Sequence, residues 1–300
     1  MSLVSISFLS TFIMLASIYS LVAIGGLISS RSGVVNISLD GTMIIGALAF
    51  ASIMQWDFLV NNFGFFAFFF AALFAGIIGM IYSQLFSLAT VNLMSDQVIV
   101  GTALNLFAPA LSLTVLFLFF NQDVLNTFPD TGGQLSYAFF FAAITIIIIS
   151  CLALLLWKST YGLRLRSAGE NPYALETAGK SVRKIRHQAI SLTGFICGFA
   201  GGMFVIANSN TFNGSVNGSG FIAIAIVIFG QWTISRSVVG AVMIAFVVAL
   251  AQPLIIWVPA IPYELFNVIP FVLPIVALCF LKSGKAPAAE GKPFRKDIRE

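Results

Sequence analysis

Few residues in this chain could do chemistry, and the most conspicuous sits in apolar surroundings. Asp40 is an acid well inside an apolar run from Gly33 to Met54, which opens G-V-V-N-I-S-L-D-G-T. An ionisable side chain at membrane depth is costly and by default marks a substrate or ion path. Asn36 lies four residues earlier, so a continuous helix would put both side chains on one face. The competing reading is structural: Asp40, with Asn36 and Gly41, caps a helix break near the inner surface. Thr102 and Asn105 are milder polar residues in a later apolar run, where hydrogen bonding between helices is their ordinary role. Asn36, Asp40, Thr102 and Asn105 are together the candidates for a substrate path.

Other chemistry is thinly represented. Gly179-Lys180-Ser181 is a fragment of a phosphate-binding loop, but Ala174 stands where that loop needs its first glycine and no strand precedes it. Cys151, Cys197 and Cys279 are far apart in apolar runs and read as small buried hydrophobes, not as disulfides or metal ligands. The single histidine, His187, falls in a basic loop and reads as solvated or phosphate-adjacent. Asn213 and Asn217 each begin a short glycosylation-like pattern that arises often by chance. No dinucleotide fingerprint, nucleophile elbow or metal cluster is visible, so nothing marks the chain as an enzyme.

The elements that must position these residues are membrane helices. The 300 residues are 59% hydrophobic and 9% charged, far below the ~25% charge of a soluble domain. Apolar runs are continuous and do not alternate; Ser136–Trp157 carries no charge over 22 residues, enough to cross a bilayer. The expected fold is an all-α polytopic bundle of about nine spans, eight to ten being compatible with the pattern. The first apolar run lacks the basic start and cleavage site of a signal peptide and reads as a retained span. Gly194, Gly198 and Gly202, with Gly201 beside them, form a glycine ridge suited to close helix contact. Phe221–Gln231 is the short seventh segment, and a re-entrant hairpin turning at Gln231–Arg236 is its alternative.

Charge orients the bundle. Residues 158–188 form a loop with Lys158, Arg164, Arg166, Lys180, Arg183, Lys184 and Arg186 against only Glu170 and Glu176. With that loop inside and nine crossings, all 15 Lys and Arg lie on the cytoplasmic side, which puts the N-terminus outside and the C-terminus inside. Residues 1–281 then form one transmembrane domain, and 282–300 a hydrophilic cytoplasmic tail expected to be exposed and loosely ordered. Within the basic loop Asn171 can cap a short helix, Pro172 suits its first position, and Gly179 followed by Lys180 suits its end. A topogenic loop needs charge but no capped helix, so this helix reads as a docking element. Aromatics do not interleave the basic residues beyond Tyr161 and Tyr173, which argues against nucleic acid.

Five blocks in order carry a family resemblance: G-G-L-I-S-S-R-S-G-V-V-N-I-S-L-D-G (Gly25–Gly41), D-Q-V-I-V-G-T-A-L-N (Asp96–Asn105), Y-G-L-R-L-R-S-A-G-E-N-P-Y-A-L-E-T-A-G (Tyr161–Gly179), G-F-I-A-I-A-I-V-I-F-G-Q-W (Gly220–Trp232) and A-P-A-A-E-G-K-P-F-R (Ala286–Arg295). Nearly end to end, the chain resembles the permease subunits of nucleoside-type ABC importers, within the superfamily of ribose and branched-chain amino acid permeases. It departs from the family pattern in having Asp40 for the usual Glu, and Ile234 and Arg236 for a usual Pro and Gly.

The resemblance implies a subunit that forms half of a translocation pore in a prokaryotic plasma membrane. Partners so implied are a separate ABC ATPase, a second permease subunit and an extracytoplasmic substrate-binding lipoprotein. ATP is then hydrolysed by the ATPase, and this chain binds no cofactor. Pro172–Ala178 becomes the helix that docks on the ATPase. The matching block supplies the residues expected around that contact: Tyr161, Gly162, Arg164, Arg166, Gly169, Glu170, Asn171, Pro172, Tyr173, Ala174, Leu175, Ala178 and Gly179. Simple sugars or branched-chain amino acids are the alternative cargo, and an ion-coupled secondary carrier resting on Asp40 is the alternative mechanism.

Overall fold

A chain surrounded by lipid must satisfy its backbone hydrogen bonds internally, and this one does so almost wholly with α-helices. The computed structural model describes residues 2–56, 58, 62–126, 134–257, 268, 272 and 284–294. The helices are α1 (Ser2–Arg31), α2 (Leu39–Ile53), α3 (Phe66–Ser87), α4 (Gln97–Val115), α5 (Gln134–Lys158), α6 (Thr160–Glu170), α7 (Pro172–Thr177), α8 (Val182–Ala207), α9 (Ser219–Phe229) and α10 (Ile234–Trp257). Single π turns extend α3 over Leu88–Asn92 and α4 over Leu116–Phe120. Among the described residues, five helices are long and apolar enough to cross a membrane: α1, α3, α4, α5 and α8. The ninth apolar segment, 263–281, lies outside the described residues except for 268 and 272, as do residues 295–300 of the tail.

The core is organised around α8, and the glycine ridge is the reason. A Cβ at Gly198 would sit 2.9 Å from Gly79 Cα on α3, and one at Gly46 on α2 would collide with the Gly198 backbone. Gly198 is thus clasped from both sides. Gly201 meets the Met43 carbonyl of α2, and Gly202 meets Phe50 of α2 and Ala72 of α3. With no hydrophobic drive between helices in lipid, such close backbone approach supplies much of the association energy. Thr193 adds a hydrogen bond to Gly25 O on α1 (2.7 Å), and Tyr82 of α3 one to Leu104 O on α4 (2.7 Å). Outward faces stay apolar; Leu106 and Phe119 are each 77% exposed, as suits a lipid or subunit contact.

Loops of the same expected sidedness meet. At one end, strand β1 (Leu125–Asn126) pairs antiparallel with β2 (Thr211–Phe212), and Gln55 at the end of α2 donates to Asn126 O (3.1 Å). At the other end, Arg31, the 158–188 loop, the Gly230–Thr233 turn and residues 284–294 come together. α9 has 11 residues, about 16 Å of helix, and so covers only part of a bilayer. It ends in a turn where Gln231 and Trp232 both take left-handed φ values of 50° and 54°. Two arginines set that turn: Arg31 Nε and Nη2 donate to Trp232 O (3.0 and 2.7 Å), and Arg236 donates to the Gln231 side chain.

Two sequence expectations are corrected here. Residues 284–294 are not loose: Pro287, Ala289 and Phe294 are buried, because the segment's backbone and side chains find partners on the bundle. His187 is only partly solvated: its ring bonds Ser87 Oγ (2.5 Å) and Asn92 Oδ1 (2.8 Å), stapling the end of α3 to the start of α8.

Candidate functional site: a helix break and a capped helix

The stretch from Gly33 to Gly41 does not form a continuous helix. Residues 34–37 have no regular secondary structure, and α2 begins only at Leu39. Asn36 therefore lies before the helix and does not share a helical face with Asp40. Its Oδ1 accepts from Ser38 N (3.1 Å) and Ser38 Oγ (2.7 Å), the local turn that Asn side chains favour. Asn36 Nδ2 is buried with no hydrogen-bond partner among the described residues.

Asp40 and Asn105 hold the break from opposite sides. Asp40, 7% exposed, accepts at Oδ1 from Gly220 N (2.9 Å), an N–H freed at the start of α9. Gly220 is required there, since a Cβ would collide with the Asp40 backbone. Asn105 Oδ1 accepts from Gly41 N and Asn105 Nδ2 donates to Ile37 O, both at 2.8 Å. Its amide thus bonds backbone within the break and in the first turn of α2, and Gln97 adds a bond from Val35 N (2.7 Å). The structure brings Asn36, Asp40 and Asn105 together. It does not bring Thr102 with them: that residue is exposed on α4 and bonds its own helix at Val98 O (2.9 Å). Gly220, Gln97 and Ser38 were missed as site residues because small or amide side chains signal nothing until the fold juxtaposes them.

One cavity lies beside the break and another along the far half of α2. The larger, about 570 Å³, is lined along the far half of α2 by Ile45, Ser52 and Trp56, with Phe74, Phe119 and Phe120 opposite. The smaller, about 210 Å³, is lined by Ser30, Asn36, Leu39, Trp232 and Glu290.

The basic loop folds as two helices. The first, α6, escaped the sequence reading because its buried face, Gly162, Leu165, Ala168 and Gly169, is mostly small residues that give a weak apolar signal; Ser159 caps it by accepting from Gly162 N (3.0 Å). Gly162 and Gly169 are buried where a Cβ would strike the Leu155 and Arg31 carbonyls. Tyr161 is half-buried against the core, and its hydroxyl pKa is raised by that burial. Arg166 stacks over Trp157 at 4.6 Å, while Arg164 and Glu170 are exposed.

The second helix, α7, has the expected caps. Asn171 Oδ1 accepts from Ala174 N (3.0 Å) and Pro172 takes the first position. At its end Lys180 N bonds Leu175 O (3.2 Å) and Gly179 N bonds Glu176 O (3.0 Å), with Gly179 at φ +75°, a Schellman closure. Its outer face consists of Tyr173, Ala174, Thr177, Ala178 and Gly179. Pro172 and Leu175, expected at a partner contact, face the other way and are buried in this chain, since a six-residue helix must seat one side on its own bundle to be stable. Arg186 is likewise turned inward, donating to Ser32 O (3.3 Å) and Lys292 O (3.0 Å). Lys180, Arg183 and Lys184 stay exposed beside α7.

Comparison with known proteins identifies the family. Residues 8–278 fit the family model described as branched-chain amino acid transport system / permease component. The chain is 34% identical to the nucleoside ABC transporter permease protein NupC of Lactococcus lactis, over 91% of this chain and 92% of that one. It is 32% identical to the guanosine ABC transporter permease protein NupQ of Bacillus subtilis, over 93% of each chain. It is 30% identical to a putative glucose ABC transporter permease protein, TsgC13, of Haloferax volcanii, over 78% of this chain and 74% of that one. No solved structure matches the chain. A glycine-clasped helical bundle with a capped, outward-facing helix at one end, matched over almost its whole length, is a multi-pass membrane protein of the branched-chain amino acid transport system permease family.

Proposed function

We propose that this chain is the permease subunit of an ATP-driven importer of nucleosides, working in a prokaryotic plasma membrane. The observation that carries this reading is α7: a doubly capped helix whose outer face, Tyr173, Ala174, Thr177 and Ala178, is exposed at the basic end of the bundle. A rigid, protruding helix of this kind suits a groove on a separate ATPase, and the flanking Lys180, Arg183 and Lys184 suit acidic groups around that groove. The chain binds no cofactor; the ATPase hydrolyses ATP. A second permease subunit completes the pore, and an extracytoplasmic lipoprotein delivers substrate. The chain crosses the membrane about nine times, with the N-terminus outside and the C-terminus in the cytoplasm.

In this mechanism, closure of the ATPase dimer moves α7, and the break at residues 34–38 switches between two arrangements. The larger cavity receives substrate from outside. Trp56, Phe74 and Phe119 offer faces on which a base can stack, and Ser52 offers a hydroxyl to the ribose. Asp40, Asn105 and Asn36 hold the closed form of the break. Nucleoside cargo rests on the relatives named for nucleosides and guanosine. The relative named for glucose keeps a sugar as the second reading. ATP hydrolysis by the reconstituted complex tests the choice: guanosine and other nucleosides are expected to stimulate it, and stimulation by glucose or leucine instead would reject the nucleoside reading.

A further inference from the structure

We propose that residues 284–294 form a strap that transmits the movement of α7 to the helix break, with Glu290 and Phe294 as its positioning residues. The inference rests on the docking role given to α7 above. One end of the strap touches the docking helix: Phe294, 6% exposed, packs on Tyr173 with ring centroids 5.3 Å apart. Its middle is pinned to the residues just before that helix, through Ala289 N to Gly169 O (2.8 Å) and Ala288 N to Glu170 Oε2 (3.5 Å). The same few residues reach the break. Gly291 N donates to Gly33 O (3.2 Å), just before the non-helical segment, and Lys292 O accepts from Arg186 (3.0 Å).

Gly33 permits this approach. It has φ +87°, and a Cβ there would crowd Arg186 Nη2 at 2.8 Å and Ala289 O at 3.2 Å. Glu290 then fixes the strap sideways, accepting from Trp232 Nε1 (3.3 Å) and from the Ser30 hydroxyl. Glu290 and Asn36 both line the 210 Å³ cavity beside the break, so displacement of the strap reshapes that cavity directly. The direct side-chain link between the two regions is weak by comparison. Arg31 and Glu170 are 3.9 Å apart with the Glu170 side chain 56% exposed, an ion pair that solvent screens. A strap whose backbone bonds Gly169 beside the docking helix and Gly33 beside the break is the stiffer connection.

The test uses the full complex in proteoliposomes, with Phe294→Ala and Glu290→Ala compared with wild type. The expected result is normal insertion, co-purification of the ATPase and basal ATP hydrolysis, with substrate moved per ATP lowered roughly 5-fold or more, the scale of an ordinary coupling free energy. Phe294→Tyr and Glu290→Gln keep the ring and the acceptor, so both are expected to restore it. If Phe294→Ala fails to accumulate, Phe294→Leu, which keeps apolar bulk without a ring, is read in the same way. Wild-type transport per ATP in the alanine variants overturns the proposal. So does loss of the bound ATPase, which would make the strap part of the docking surface. Thr177→Asp, on the exposed face of α7 away from the Phe294 contact, tests the docking reading separately: retained ATPase in that variant sinks docking by α7, whatever the strap variants do.

Discussion

Gly220 donates its backbone N–H to Asp40 Oδ1 at 2.9 Å, joining residues 180 positions apart at the starts of two short helices. Both partners are buried, and each helix start exposes donors that lipid cannot satisfy. The acid in the membrane is therefore held for a structural reason, whatever it later does for substrate.

Asp40→Asn keeps an oxygen for Gly220 N–H and is expected to assemble normally. Asp40→Ala leaves that N–H unpaired, a loss of about 1–3 kcal/mol. Thermal unfolding of the purified chain in detergent checks this: a lower midpoint for Ala than for Asn is expected, and equal midpoints would remove the structural role. Gly220→Ala is expected to be at least as damaging, because its Cβ would strike the Asp40 backbone.

The clasp around Gly198 makes a second prediction. Gly198→Leu should prevent α2, α3 and α8 from approaching, at a cost beyond the ~1–3 kcal/mol of ordinary overpacking. Yield of monodisperse protein after solubilisation is the measurement, and a wild-type yield would mean that close approach at Gly198 is not what holds the helices together.

Docking should depend on the exposed face of α7, not on its buried one. Ala174→Asp and Thr177→Asp are expected to lose the ATPase on co-purification while the chain still inserts. Leu175→Asp should instead lower the yield of the chain itself, because Leu175 is 6% exposed within it. The reverse pattern would place the contact elsewhere.

Strap docking should weaken as pH rises. Burial raises the Glu290 carboxyl above its ordinary 4.5, against the opposing pull of Ser30, Trp232 and Arg31. A carboxyl whose docked pKa lies above its free one favours docking most below the free value, and that favour is lost as pH rises through the docked value. Hydrogen exchange at the Ala289 and Gly291 amides, corrected for intrinsic rate, should show falling protection across that window. Glu290→Gln is expected to flatten the dependence.

Some of this was readable from residue order. The apolar runs, the helical class, the caps of α7 and the glycine ridge each follow from a local rule that needs no tertiary context. The cap residues Asn171, Pro172 and Gly179 do their work within a few residues of one another. What escaped depends on distant contacts. Asn36 and Asp40 are four apart, but whether a helix joins them was decided by Asn105 and Gly220. The tail's polarity suggested solvent, yet its backbone bonds Gly33 and Gly169. Which side of α7 faces outward depends on how α6 seats it. The same holds for Thr102, whose helix face is settled by the packing of α4 on α2 and α3.

The central claim is ATP-driven nucleoside import through a bundle worked by α7. Accumulation of labelled guanosine by cells that depend on this complex for uptake tests it most directly, with Ala174→Asp as the control in the docking face. Accumulation against a gradient that requires an active ATPase subunit, and that is abolished in the variant, is expected. Accumulation that persists without ATPase activity, or that follows an imposed ion gradient, would contradict that claim and make the chain a secondary carrier.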